Sequence, residues 1–274
     1  MSPVSIVTDS AAALPPELVD QYRITVVPMW LDLGERHVHD DELSIEEVLR
    51  YDEVSTSGPT PGEFAEAIRG RMSDDGVLVL TIAATMSSTF GAAQTGAETV
   101  DGRVAVLDTS TAAGAQGLVV LAAARAADAG GTLDDVERAA AKAIEGVRLV
   151  AMVSDLDHLV RSGRVPEVAG WAGRRLGIRP LFEFRDGKPH RLRPAFSVDA
   201  AKDRMVALLR RSAVPDAKLH VAALHAQAPE EARELLGRVE AEQSPATSFV
   251  GRFGSVMVAH TGPGLAGLAW WWER

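Results

Sequence analysis

The chain has 274 residues, 46% of them hydrophobic and 24% charged, a length and balance that suit two packed α/β units and give no reason to expect disorder. A formal net charge of −10 argues against sequence-independent nucleic-acid binding, which needs an excess of Lys and Arg, and against a general attraction to anionic membrane. There is no cysteine, which removes disulfides, thiol nucleophiles and thiolate metal sites.

In chain order, residues 4–8 read as a buried strand, followed by a helix that Pro15-Pro16 starts. Residues 24–33 read as a second strand. Ser44 and Glu47 have capping-box spacing and open a helix through Leu49; Thr60 and Glu63 repeat the signal, with Pro61 at the first helical position. VLVLTIA (residues 77–83) is the clearest strand, with a helix over 92–100, a strand over 104–107 and helices over 117–129 and 134–145. This alternation predicts a mostly parallel sheet covered on both faces. Beyond it, residues 182–185 and 190–193 flank Asp186-Gly187 and predict a β-hairpin with a primed turn. Residues 219–224 and 256–260 read as later strands, with a helix over 230–242 between them. The division between units is placed within 147–152, giving an N-terminal lobe of 1–150 and a C-terminal lobe of 151–274. Residues 1–9 have neither the basic start nor the apolar stretch of a secretory signal, and no apolar run approaches the ~18 residues of a membrane span, so the expected location is the cytoplasm.

Ligands collect at the carboxyl ends of strands in parallel sheets, and small hydroxyl residues cluster at those positions here. Thr8-Asp9-Ser10, Thr56-Ser57-Gly58, Thr85-Met86-Ser87-Ser88-Thr89 and Asp108-Thr109-Ser110-Thr111 each follow a strand or precede a helix. Helix N-termini offer unpaired N–H groups, so these turns suit a carboxylate or phosphate; they equally suit plain N-capping. His260, in His260-Thr261-Gly262-Pro263-Gly264, is expected at a strand tip. His37 and His39 stand beside Asp40-Asp41 in what reads as a solvated turn rather than a metal site. No nucleophile elbow, P-loop, HExxH or GxGxxG motif is present, although Ser87, His260 and Asp9 supply the residue types of a hydrolytic triad. Arg161, Arg164, Arg174, Arg175 and Arg179 crowd one stretch with only Glu167 against them, which suits a solvated helical face or a docking patch for an acidic partner.

Eight stretches, in order, carry a resemblance: IVTDSAAALP (6–15), VVPMWLDL (26–33), TSGPTPGEF (56–64), ATMSSTFGAAQ (84–94), VLDTSTAAGAQG (106–117), LDHLVRSGRV (156–165), LGIRPLFEFRDGK (176–188) and HTGPGLAGLAW (260–270). Together they resemble the DegV family over nearly the whole chain. Gly58, Ser88 and Ser162 depart from it, standing where the family usually has Gln, Gly and Gly. The resemblance implies a two-lobed α/β fold, mostly parallel in the first lobe and mixed in the second, with one long-chain fatty acid bound between the lobes. It implies a carrier with no cofactor and no metal, which presents the bound carboxyl group to a fatty-acid kinase for acyl-phosphate formation and meets the membrane only transiently. Carried over by motif, the carboxylate contacts are Thr56, Ser57, Ser87, Ser88, His260 and Thr261, with Arg164 and Arg161 for docking the kinase. Two rival readings remain open: a lipid-ester hydrolase with Ser87 as nucleophile and His260 as base, and a sensor of small anions.

Overall fold

Alternation of β-branched runs with capped helices builds the first half of the molecule. The computed structural model describes residues 3–51, 53–154, 156–163 and 178–274. Its elements up to residue 146 are β1 (Ser5–Asp9), α1 (Pro16–Gln21), β2 (Thr25–Val27), β3 (Trp30–Asp32), β4 (His37–His39), α2 (Ile45–Val48), β5 (Ser55–Ser57), α3 (Pro61–Arg71), β6 (Val77–Thr81), α4 (Thr89–Ala97), β7 (Val104–Asp108), α5 (Ala113–Asp128) and α6 (Leu133–Gly146). Strands β2-β1-β6-β7 form an all-parallel sheet. Both capping boxes form: the Ser44 hydroxyl accepts from the Glu47 N–H, and the Thr60 hydroxyl from the Glu63 N–H, while each Glu reaches back to the cap.

The expected strand over 24–33 is two strands in two sheets. Pro28 breaks it, since proline donates no ladder hydrogen bond. β2 stays in the parallel sheet, while β3 turns away to sit between β4 and β5 in a small antiparallel sheet. That three-stranded sheet was not anticipated, and the supposed turn at His37 and His39 is its strand β4.

The second half runs β8 (Arg148–Met152), α7 (Asp157–Ser162), β9 (Leu181–Arg185), β10 (Lys188–Arg191), α8 (Val198–Arg211), β11 (Lys218–Ala226), α9 (Pro229–Glu240), β12 (Thr247–Arg252), α10 (Ser255–Thr261) and β13 (Leu265–Glu273). Strands β10-β9-β8-β13-β11-β12 form a mixed sheet. The β9–β10 hairpin turns through Asp186 and Gly187 with φ of 53° and 72°, the two positive values that a primed turn requires. The expected strand over 256–260 is instead helix α10. A short buried apolar run does not distinguish strand from helix by itself; here Gly254 caps the helix and Gly262, at φ 69°, ends it.

Helix α5 joins the two halves. Thirteen of its sixteen residues are buried, as expected of a helix apolar on every side. It packs against β1 and β6 of the parallel sheet and against β8, β11 and β13 of the mixed one. Its glycines allow this squeeze: a Cβ on Gly117 would lie 2.7 Å from the Ala12 carbonyl oxygen, and one on Gly114 would lie 2.4 Å from Leu224.

Candidate functional site

After the fully buried strand β6, the chain passes through residues 82–88 into α4 and places Ser87 at the helix entrance. β5 lies across this entrance, held in the small sheet by the pairing of Thr56 with Leu31 of β3. From the other side, α10 brings His260 in its last turn. The imidazole Nε2 sits 2.7 Å from Thr56 Oγ1, and the imidazole tautomer decides which atom donates. Thr56, Ser57, Gly58, Ser87, His260 and Thr261 line a cavity of about 60 Å³.

Behind this polar end lies a second cavity of about 60 Å³, lined by Ala112, Leu149, Phe182, Phe184, Leu224 and Leu265 among others. Met86, Leu159, Met257 and Thr261 belong to both walls, so the cavities adjoin. The inner face of the β9–β10 hairpin forms one wall, and the hairpin is anchored to the first half of the chain. Thr85 donates its hydroxyl to the Gly187 carbonyl at 2.5 Å, and the Gly187 N–H donates to the Ser110 carbonyl at 3.0 Å.

Five of the six expected head-group residues therefore meet at one place. Ser88 does not: it is exposed at the α4 N-cap. The Thr261 hydroxyl donates to the Met257 carbonyl at 3.0 Å, and so serves the backbone of α10. Arg161 is exposed on α7 and borders a wide neighbouring cleft of about 860 Å³, which meets the polar cavity at Ser162. Arg164, Arg174 and Arg175 lie outside the described residues. Met29, Ile82, Leu159 and Met257 also line the wall and were not legible as such, because apolar residues that close a cavity carry the same pattern as core.

The triad of Ser87, His260 and Asp9 is not assembled. His260 Nε2 faces Thr56. Asp9 is fully buried beneath the site, where its carboxylate accepts from the Ile82 and Ala11 N–H groups and from Gln116 Nε2. Burial pushes the Asp9 carboxyl up to about 6, against the pull of Ile82, Gln116 and Ala11. Asp40, expected in an exposed turn, is buried too; it accepts from the Ser10 hydroxyl and the Met29 N–H, and burial raises it to about 6 as well. Among the described residues, no group of three or more acidic or histidine side chains is arranged to hold a metal ion. His37 stacks on Trp30 at 4.4 Å, while His39 Nε2 lies 2.9 Å from Glu63.

The fold and the site together define an α/β protein with two adjoining cavities, one polar at the strand ends and one apolar behind it. The family model for DegV, described as that of an uncharacterised protein, matches residues 3–273, and the chain belongs to the DegV family. It is 35% identical over 276 residues to a DegV domain-containing protein of Streptomyces coelicolor, covering 97% of each chain. It is 27% identical over 277 residues to a fatty acid-binding protein of Thermotoga maritima, covering 97% of this chain and 96% of that one. Among solved structures, a fatty-acid-binding DegV family protein from Thermus thermophilus superposes with a TM-score of 0.91 at 26% identity, over 98% of this chain and 99% of that one.

Proposed function

We propose that this protein binds a long-chain fatty acid, with its carboxylate among Thr56, Ser57, Ser87 and His260 and its tail in the apolar cavity behind. The observation that carries the reading is the adjacency of the two cavities, which share four wall residues: one end offers hydroxyls and an imidazole, the other is lined almost wholly by apolar side chains. A carboxylate leaving water needs hydrogen-bond partners, and charge-assisted bonds from hydroxyl and N–H donors supply them. The tail drives binding: about 0.8 kcal/mol per buried methylene gives roughly 12 kcal/mol gross for ~15 of them, and ordering takes back much of that. Met86 and Met257 stand between the cavities as unbranched thioethers, side chains that adapt to the shape of what enters.

In this reading the protein is a carrier and not an enzyme, working in the cytoplasm without a cofactor. Its carboxyl end faces the cleft bordered by Arg161, where a kinase that makes the acyl phosphate would dock, with Arg164 as a second contact. The hydrolase reading is disfavoured by His260 engaging Thr56 instead of Ser87. No described helix is long and apolar enough to cross a membrane, so any contact with lipid in this reading is peripheral.

Native mass spectrometry of gently purified protein, followed by denaturing extraction, tests the proposal. A one-to-one complex that releases a long-chain fatty acid is the expected result. Protein that carries none and takes up none when it is supplied would overturn it.

A further inference from the structure

Ser87 is held by a neighbour outside the cavity wall. Thr89, the first residue of α4, is fully buried, and its hydroxyl lies 2.7 Å from Ser87 Oγ. Among the described residues this is the only hydrogen-bond partner of the Thr89 hydroxyl. The Thr89 backbone N–H donates to the same serine oxygen at 3.3 Å. A serine hydroxyl has two lone pairs and one proton. A buried threonine hydroxyl with a single partner gives its proton to that partner, because leaving it unmatched is costly. Both lone pairs of Ser87 are then occupied, and only its proton remains to offer.

Gly58 is what lets this pair close up. A Cβ at that position would lie 2.4 Å from Thr89 Oγ1 and 3.3 Å from Ser87 Oγ. The bare backbone of residue 58 thus covers the two hydroxyls, and a side chain there would collide with the Thr89 hydroxyl as it now lies against Ser87.

We propose that Thr89 is a positioning residue that makes Ser87 an obligate donor, and so selects an anionic, acceptor-only head group over a neutral one of the same tail. A carboxylate accepts and never donates, which matches a serine with no lone pair left. An alcohol or amide head has a proton of its own to place and finds no acceptor at Ser87. The charge-assisted bond to the carboxylate is also the stronger one.

This inference rests on the fatty-acid reading, and the experiment separates the two. Affinities of the delipidated full chain for palmitate and for hexadecanol are measured by calorimetry at neutral pH, for wild type, Thr89→Val, Thr89→Ser and Gly58→Ala. Thr89→Val is expected to lose roughly tenfold or more in palmitate affinity, the scale of one hydrogen bond to a charged group, with hexadecanol affinity unchanged. Thr89→Ser should restore the preference. Gly58→Ala alters no hydroxyl and should reproduce the selective loss, which keeps the test decisive should Thr89→Val fail to fold. Equal losses for acid and alcohol, or no loss in either of these two variants, would overturn the role of Thr89. A wild type that binds neither ligand would remove the fatty-acid reading and this inference with it.

Discussion

Thr56 and His260 are 204 residues apart in sequence and meet with Oγ1 and Nε2 2.7 Å from each other. One belongs to the edge of a three-stranded sheet and the other to the last turn of a short helix, so the polar end of the cavity exists only when both halves of the chain are folded together.

Removing Ser87 should weaken binding of the acid. Ser87→Ala takes away a donor to a charged oxygen, a loss of about 1.5–3 kcal/mol, which is roughly tenfold to a hundredfold in fatty-acid affinity. Thermal stability should fall as well, by about 1–3 kcal/mol, because the buried Thr89 hydroxyl loses its partner. Titration calorimetry beside a melting curve reads both, and an unchanged affinity would argue against a carboxylate at this position.

The apolar end should set tail length. Ala151 in β8 is buried in the wall of the second cavity, and Ala151→Leu fills part of it. Overpacking costs about 1–3 kcal/mol, and here it falls on the ligand that needs the space. Palmitate affinity should drop while decanoate affinity holds; a parallel drop for both would place the tail elsewhere.

Stability should rise on mild acidification. Asp9 and Asp40 are each raised from 3.8 to about 6 in the folded protein. A raised carboxyl contributes stability that is complete below its unfolded pKa and is lost as pH climbs through the folded one. For a shift of this size the contribution is about 3 kcal/mol for the fully buried Asp9. Glu63 acts oppositely. Partial burial raises it, but the Thr60 amide and hydroxyl, His39 and Trp30 hold it down to about 2, so its contribution is lost as pH falls below about 4.5. Urea midpoints should peak at about pH 4, decline as pH climbs to about 6 and level off above it. Asp40→Asn, which still accepts from the Met29 N–H and can donate to Ser10, should flatten that decline.

Two indoles share one acceptor. Trp270 Nε1 donates to Ser212 Oγ at 2.8 Å and Trp272 Nε1 to the same oxygen at 3.2 Å. Ser212→Ala leaves the fully buried Trp270 N–H without its partner, at about 1–3 kcal/mol. Denaturant unfolding should show that loss with ligand affinity unaltered, which separates this run of tryptophans from the binding cavity.

The parallel sheet and its helices, and the β9–β10 hairpin of the mixed sheet, were legible because β-branched runs, capping boxes and the Asp186-Gly187 turn are local signals. Thr56, Ser57, Ser87 and His260 were legible through motifs that resemble a family. Other features were set by partners distant in sequence. Nothing local marks Asp40 as buried; its place depends on Ser10 and Met29. The run at 256–260 is apolar enough for either periodicity, and only the glycines at 254 and 262 define it as a helix. β13 escaped notice because every residue before Glu273 is Leu, Ala, Gly or Trp, leaving no polar face for period two to reveal.

β13 follows the other twelve described strands in chain order, yet it lies in the middle of its sheet, between β8 and β11. During synthesis, β8, β9 and β10 can pair with one another and β11 with β12, but nothing joins the two groups, and the face of α5 turned toward that sheet stays only partly covered, until β13 arrives. Domains generally fold as units while the chain is made, and unpaired strand edges invite aggregation in the interval. Folding of this protein thus depends on a stretch translated late, so ribosome-stalled chains that stop before β13 should be sensitive to protease across the whole mixed sheet, not at one margin. A lesion in β13 would act as a missing keystone, and its symptom in the cell would be low abundance before any change in what the protein binds.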